Sequence, residues 1–260
     1  MGTTGRLALL AVSFVAFGSG AAPAADGTPT REDFTARFEI DATPYVWMAG
    51  LNGTIRFRPD LPLVHINEPF SEILSELDAV FPVRLAVRHD RLTLSADIFY
   101  VATRTPVSPE GIVFGSGAVD HSVFFATMAA GYRVADSKTG SIDLVAGARL
   151  WSFRSDVTLN PVGPGPEVAL STHESWIDPI VGIGGRLDLT GRLHAEVYAD
   201  VGGFRDASLT WQLIGTFGYS IKDHLDLSAG YRFLHVQHDD NGVTRNVDFS
   251  GPIIAATLRY

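Results

Sequence analysis

The sequence predicts an all-β protein: a single antiparallel transmembrane β-barrel of about ten strands, with one short helix in a long loop. Three observations support this prediction. Long segments alternate apolar and polar residues, short turns alternate with long connections between these segments, and the longest apolar run is a short N-terminal one. Eight and twelve strands remain open as alternatives.

The N-terminus has the three parts of a cleavable secretory signal peptide. An arginine precedes an apolar run from Leu7 to Phe17, and small residues follow it. That run is far shorter than the roughly 20 residues that a spanning helix needs. We therefore predict a signal peptide over residues 1–24, a short periplasmic leader over 25–36 and the barrel over 37–260. Because no other apolar run approaches a helical span, a mature chain in the membrane must be a closed barrel.

The dominant pattern of the mature chain is alternation with a period of two, which places successive side chains on opposite faces of a sheet. From Leu92 to Ala102 apolar residues occupy one face, while Thr93, Ser95 and Asp97 occupy the other. The predicted strands are 37–58, 81–89, 91–104, 121–134, 141–155, 174–188, 192–204, 207–220, 224–237 and 246–260. Many are longer than the average of about five or six residues in globular proteins. They reach the roughly 9–11 residues that a tilted membrane strand needs.

The connections between these strands alternate in length. The short ones are 88–91, 135–140, 189–192 and 221–224, and the long ones are 59–80, 104–120, 155–173 and 237–246. Outer-membrane barrels place short turns on the periplasmic side and long loops outside, so we expect both termini to face the periplasm. A tight turn at Arg205–Ala207 is the exception, because a long loop is due there.

Two local features affect the strand count. The glycines in Gly50–Gly53 indicate a bulge within one long first strand, although a hairpin there would give eleven strands. Within the first long loop, Phe70, Ile73, Leu74 and Leu77 recur at helical spacing. We predict a short amphipathic helix there, with Ser71 as its N-cap.

Composition excludes some classes of function. The chain has no cysteine, so a disulfide framework is excluded. Its formal net charge is −9, whereas a surface that binds nucleic acid needs a basic face. We expect no nucleic-acid partner.

The C-terminal segment VDFSGPIIAATLRY places Ala256, Leu258 and the terminal Tyr260 at alternating positions. This segment resembles the last strand of bacterial outer-membrane barrels, which ends on an aromatic residue and is read by the barrel-assembly machinery. The segments TPYVWMAGLNGTIRF, LTWQLIGTFGYSI and LDLSAGYRFLHV are similar to small porin-type or OmpA-like barrel domains. The resemblance implies a Gram-negative outer-membrane location, with outer-membrane lipid and the assembly machinery as partners. It implies no catalytic residues.

Extending the alternation inward gives a nearly balanced set of lumen charges. The acids are Glu39, Asp41, Asp97, Asp143, Glu196, Asp200 and Asp226, and the bases are Arg56, Arg84, Arg88, Arg149, Arg232 and Arg259. In a barrel of this size side chains largely fill the interior, and buried charges are tolerated when they pair. A plug of salt bridges is favoured over a pore for small polar solutes.

The larger aromatic residues fall towards the ends of the predicted strands and indicate interfacial girdles. They are Tyr45, Trp47, Trp151, Trp176, Trp211, Tyr231 and Tyr260. Trp47 and Trp151 fall on the nominal inner face, so this girdle is incomplete.

Candidate chemistry is sparse. The candidate metal ligands are His235, His238, Asp239 and Asp240, and the candidate residues for hydrolysis are His121, Ser122, His173, Glu174 and Ser175. Neighbours on a strand point to opposite faces, and the sequence has no GxSxG, HExxH or phosphate-loop motif. We expect no catalytic, cofactor-binding or metal-binding residue and no enzyme.

The sequence therefore predicts an outer-membrane barrel with a structural or surface-interaction role, or a narrow channel for small polar solutes. One alternative is an outer-membrane enzyme acting on lipid or peptide, in which a serine, a histidine and a carboxylate would converge near one rim. The other is a soluble periplasmic ligand-binding barrel. That barrel requires the alternation to be inverted, with the apolar face inward.

Overall fold

The computed structural model describes residues 38–56, 59–60, 62–107, 114–163, 165–205, 208–240 and 242–260. The predicted signal peptide and leader lie outside the described residues. Within these residues no helix is both long enough and apolar enough to cross a membrane.

The described residues form twelve strands and one helix. In chain order these are β1 Phe38–Trp47, β2 Gly50–Arg56, β3 Val64–Glu68, α1 Phe70–Ser75, β4 Leu77–His89, β5 Leu92–Val107, β6 Phe114–Ser137, β7 Gly140–Pro161, β8 Val168–Asp188, β9 Leu193–Arg205, β10 Ser208–Lys222, β11 Leu225–Asp240 and β12 Val243–Arg259.

Ten of these strands close an antiparallel barrel. The strands from β4 to β12 pair in chain order, β4 also pairs with β1, and β1 pairs with β12 to close the ring. Backbone hydrogen bonds between Ile40 and Tyr260 complete the seam, at 3.0 and 2.9 Å. The prediction of an all-β barrel of about ten strands is confirmed.

The first long strand keeps one register along β12. Trp47 pairs with Ile253 and Gly50 pairs with Ser250, so β2 continues β1 without a shift. The glycines therefore form neither a hairpin nor a bulge. Gly53 permits close approach of the two strands, because a Cβ there would lie 2.2 Å from the carbonyl oxygen of Asn246. Beyond β2, β3 adds one further strand.

The two ends of the barrel differ. The turns at 90–91, 138–139, 189–192 and 223–224 lie at one end, which also holds Phe38 and Tyr260 and is called the turn end below. The opposite end is called the rim. There the strands are longer than predicted, since β6 begins at Phe114 and β7 reaches Pro161. Residues 115–120 (GSGAVD) show no alternation of apolar and polar residues, so the sequence did not predict this part of β6, which pairs with both neighbouring strands.

The helix α1 is shorter than the helical spacing suggested. Its N-cap is Pro69, with no side-chain hydrogen bond, and Ser71 lies inside the helix. The predicted cap at Ser71 is wrong, and Leu77 already begins β4.

The outer surface carries an apolar belt. The belt comprises the outward-facing residues of 38–46, 81–87, 92–100, 124–132, 142–150, 177–187, 193–201, 209–221, 225–233 and 252–258. Towards the rim the outward residues become polar, as at Ser122, Ser152, Ser175 and His235. Most of these stretches have about the length that a tilted strand needs to cross a bilayer.

Candidate functional site in the barrel lumen

A vestibule of about 480 Å³ occupies the lumen at the turn end. Ion pairs line it: Arg133 Nε lies 3.1 Å from Asp143 Oδ1, and Arg186 Nη1 lies 2.8 Å from Glu196 Oε1. These side chains are partly exposed to the vestibule, so water screens the attraction within each pair.

The remaining predicted lumen charges near the turn end also face this vestibule. Arg259 Nη2 donates to Asp226 Oδ2 at 2.8 Å, and its Nε lies 3.5 Å from Asp41 Oδ1. Arg88 donates to the hydroxyl of Thr93. Glu39 and Arg84 are the other two predicted lumen charges that line the vestibule. The guanidinium carbon of Arg84 lies 5.9 Å from the centroid of the Tyr198 ring.

Arg56 lies elsewhere. It pairs with Thr244 of β12, and opposite residues of an antiparallel pair share a face. Because Arg245 and Val247 of β12 are buried in the lumen, Thr244 and Arg56 belong to the outer face. The assignment of Arg56 to the lumen is therefore corrected by the register of β2.

Towards the rim, two arginines span the lumen in what we call the charge layer. Its members are Tyr45, Asp97, Arg149, Asp200, Gln212 and Arg232. Arg149 is completely buried and donates to Asp200 Oδ2 at 2.6 Å, to Thr127 at 2.9 Å and to Thr210 at 3.1 Å. A buried guanidinium needs a counter-ion and filled donors, and this site supplies both.

The second arginine is held in the same way. Arg232 donates to Asp97 Oδ2 at 2.8 Å and to the hydroxyl of Tyr45 at 3.0 Å. Gln212 joins the two halves, because its amide oxygen accepts from Arg232 and its amide nitrogen donates to Asp200 at 3.2 Å.

Above the charge layer, seven rings form what we call the aromatic plug. They are Trp47, Phe99, Phe125, Trp151, Phe153, Trp176 and Phe249. Ring centroids lie 5.1 Å apart for Phe99 and Phe125, and 5.3 Å apart for Phe125 and Trp151. The guanidinium carbon of Arg232 lies 4.6 Å from the Trp47 centroid, so the charge layer and the plug are in direct contact.

Four of the aromatic residues assigned to the predicted girdle point into the lumen. The girdle assignment is wrong for Tyr45 and Trp176, whereas Trp47 and Trp151 lie on the inner face, as the alternation indicated. Trp211 and Tyr231 do face outward. Trp151 is fully buried. Inward aromatic residues fill the lumen because a ring occupies more of the cross-section than any other apolar side chain.

Asp178 is a lumen residue that the sequence interpretation missed. Its carboxylate is 2 % exposed and accepts from the indole nitrogens of Trp151 at 3.1 Å and Trp176 at 3.0 Å, and from Ser208 at 2.9 Å. The alternation could have identified it, because Asp178 and the inward-facing Glu174 lie an even number of positions apart on β8. It fixes the plug by hydrogen bonding two of its rings.

Charged and imidazole side chains lie on the rim side of the plug. Arg245 donates to Glu174 Oε2 at 2.8 Å, and His238 stacks on Trp176 with ring centroids 4.0 Å apart. Burial lowers the pKa of His238. Burial, reinforced by Arg245, also lowers the pKa of His121.

The candidate residues for hydrolysis do not converge. His121 points into the lumen while Ser122 pairs with the outward Arg154. His173 and Ser175 are outward on β8, whereas Glu174 binds Arg245 inside. Among the described residues no serine hydroxyl is hydrogen bonded to a histidine.

The candidate metal ligands are also separated. His235 lies on the outer face, where its Nδ1 is 2.8 Å from Asp248 Oδ1, while His238 is inside and Asp239 accepts from Thr244. Asp240 ends β11. In the part of the chain that the structure describes, no three histidine or acidic side chains are grouped to hold a metal ion.

The residues predicted as an assembly signal lie at the turn end of β12. Leu258 and Ala256 pair with the outward Leu225 and Leu227 of β11, and Tyr260 is largely exposed next to Ile40.

The fold and the lumen together define the class of this protein. It is a closed ten-stranded antiparallel barrel with an apolar outer belt and an interior filled by side chains. This is the architecture of transmembrane β-barrels. No protein-family model matches the chain, and no curated protein matches it significantly.

Solved outer-membrane barrels resemble it at low identity. Neisserial surface protein A is 14% identical, with 86% of this chain and 97% of that chain covered and a TM-score of 0.34. The translocator domain of the autotransporter NalP from Neisseria meningitidis is 11% identical, with 88% and 90% covered and a TM-score of 0.43. The attachment invasion locus protein Ail of Yersinia pestis is 10% identical, with 86% and 98% covered and a TM-score of 0.34. Likenesses at this level carry no argument about function.

Proposed function

We propose that this protein is a Gram-negative outer-membrane barrel with a closed lumen, which acts as a structural and surface-interaction protein through its rim. The observation that carries the proposal is the filled cross-section. Arg149, Arg232, Phe125 and Trp151 are all almost completely buried in the centre of the barrel. A solute that crossed the lumen would have to displace paired charges and packed rings together.

The apolar belt supports the membrane location. Its residues include Val197, Phe217 and Met128, each more than half exposed, while the ionised residues Arg149 and Asp200 are inside. This arrangement is opposite to the one that a soluble ligand-binding barrel requires. In a membrane the belt contacts outer-membrane lipid, and the turn end faces the periplasm. The proposal includes the barrel-assembly machinery as a partner during insertion and assigns the chain no enzymatic activity.

The test combines location with conductance. The full chain, expressed in a Gram-negative host, is expected in the outer-membrane fraction, and the unheated protein should migrate differently from the boiled protein on a gel. In a planar bilayer the purified barrel should give no steady conductance steps. Recovery in the soluble periplasm, or steady conductance from the unmodified protein, would refute the proposal.

A pair of variants identifies the plug as the cause of closure. The double substitution Phe125→Ala and Trp151→Ala removes two adjacent rings and should produce conductance steps. Trp211→Ala removes an indole from the outer face, and this matched variant should remain silent. If both variants are silent, the charge layer alone closes the lumen and the role assigned to the plug is wrong.

A narrow channel for small polar solutes is the second candidate, and one observation favours it. The vestibule extends as far as Arg232, which lines it. A channel would then need the charge layer and the plug to move. Steps that appear in the unmodified protein under applied voltage, and that Arg232→Met alters, would support this function instead.

A further inference from the structure

Strand β8 has an unpaired edge at the rim. It pairs with β7 as far as Val168, opposite Leu159. Its pairs with β9 run only between Ile180 opposite Gly202 and Asp188 opposite His194. Residues 168–177, which we call the rim edge, therefore have no neighbouring strand on the β9 side among the residues that the structure describes.

Local backbone chemistry explains why the β8–β9 pairing stops. Gly203 and Phe204 have φ values of +96° and +49°, which turn β9 towards β10 and away from β8. Pro179, next to the last pair, has no N–H to donate. The N–H of Asp188 donates to the carbonyl of Thr139 on the β7 side, and the N–H of Leu189 donates to Leu193 on the β9 side. Since β8 keeps one register with β7, odd-numbered residues such as Pro179 direct their backbone groups to the β9 side.

The alternation of backbone groups along β8 identifies which N–H and C=O groups of the rim edge lack a strand partner. In an antiparallel strand each residue directs both its N–H and its C=O to one neighbour, and the next residue directs them to the other. Residues with the parity of Pro179 therefore present their donors and acceptors to the gap. Within the rim edge these include Ser171, His173 and Ser175.

The rim edge is exposed to solvent and not to lipid. Apart from Ile177, which ends the apolar belt, it lies beyond the belt, and Ser171, His173 and Ser175 are exposed on its outer face. On its inner face Leu170 is 58% exposed. Soluble proteins commonly protect exposed edges with proline or lysine, but the segment VALSTHESWI contains neither.

We propose that the rim edge binds an extended segment of a partner polypeptide, which adds as a further antiparallel strand. Only a polypeptide backbone offers alternating donors and acceptors at strand spacing, and strand addition is an established mode of peptide recognition. Apolar side chains of the added strand cover Leu170 on the inner face. Its polar side chains lie beside Ser171 and His173 on the outer face. This inference rests on the proposed surface role and names its partner class.

A second copy of this chain does not fit this edge. The two-fold axis that pairs identical strands antiparallel is perpendicular to those strands. Copies in one membrane are related by an axis along the membrane normal, which preserves the direction of every strand along that normal. Antiparallel pairing of two β8 edges would turn one barrel upside down, so the partner is a different polypeptide segment.

The test uses a labelled synthetic peptide of alternating threonine and valine residues with a lysine at each end. The full barrel, folded in detergent micelles, should give a saturable rise in fluorescence anisotropy. The same peptide, N-methylated at alternate residues, keeps the side chains but loses the donors and should bind at least about tenfold more weakly.

Two matched variants locate the site. The double substitution His173→Pro and Ser175→Pro removes two N–H groups from the gap side and should weaken binding by about tenfold or more. The double substitution His173→Ala and Ser175→Ala keeps both N–H groups and should bind as the unmodified barrel does. Amide hydrogen exchange at Ser171, His173 and Ser175 should be fast in the free barrel and slow with peptide.

The outcomes are separable from those of the proposed function. Absence of peptide binding, equal binding by the proline and alanine pairs, or equal binding of the N-methylated peptide would each overturn the rim-edge site. None of these outcomes changes the fractionation or conductance results. If the double proline variant fails to fold, the comparison of the N-methylated and unmethylated peptides on the unmodified barrel still tests the rim-edge site.

Discussion

Replacing Arg149 by methionine should destabilise the barrel far more than the loss of an exposed arginine does. The guanidinium is completely buried, lies 2.6 Å from Asp200 and donates two further hydrogen bonds to Thr127 and Thr210. Without it, Asp200 is a buried carboxylate with no cationic partner, although Gln212 still donates to it. Removing one member of a buried pair costs about 3–5 kcal/mol, which is about two to four orders of magnitude in the unfolding equilibrium constant.

The measurement is chemical unfolding of the full barrel in lipid vesicles, followed by the shift between heated and unheated gel bands. The double variant Arg149→Met and Asp200→Leu removes both charges and should regain more than half of the loss, because an apolar pair of similar volume is often neutral. Arg154→Met is the matched control. Its ion pair with Asp156 has side chains 60% and 40% exposed, so its loss should cost at most about 1 kcal/mol.

Two results would refute this reasoning. A loss below about 1 kcal/mol for Arg149→Met would mean that water reaches the charge layer. A double variant no more stable than the single one would mean that the hydrogen bonds to Thr127 and Thr210, and not the unpaired Asp200, account for the loss.

The remaining predictions concern the belt, the packing and the rim. Val197→Arg, in the middle of the β9 belt, should destabilise the barrel in vesicles by about 2–4 kcal/mol, whereas Ser152→Arg, beyond the belt, should be nearly neutral; equal effects would contradict the assigned belt. Gly230→Ala should cost about 1–3 kcal/mol, because its Cβ would lie 1.9 Å from a carbonyl oxygen, while Gly184→Ala has room. Burial lowers the pKa of His238, so the unfolded chain binds the proton more readily and stability should fall as pH drops below about 6.5. His238→Phe should reduce this acid loss, and an unchanged pH profile would exclude His238 as its source.

The alternation made most of the architecture predictable. The parity of Leu92, Leu94 and Asp97 on β5 assigns an apolar outside and a charged inside, and the structure has this arrangement. The same parity brings Arg149, Asp200 and Arg232 into the lumen. It failed for Arg56, because the bulge predicted at Gly50–Gly53 would switch the face of the residues after it, and the strand has no bulge there.

The alternation did not predict which lumen side chains contact each other. Asp97 and Arg232 are 135 residues apart, and nothing in either strand indicates that they meet at 2.8 Å. The closure of β1 on β12 brings Tyr45 to Arg232, and the barrel diameter then allows Gln212 to join both arginines. The interior contacts therefore depend on strand number and register, which are properties of the closed ring.

The sequence by itself determined the fold class, the face of nearly every strand residue and the short turns, because these depend on a local period and on turn chemistry. Only the tertiary structure decided that inward tryptophans form a plug, that segments without alternation such as 114–120 continue the strands, and that β8 keeps a free edge. These features depend on which strands become neighbours and on where the pairing between two strands ends. The residues of a single strand indicate neither.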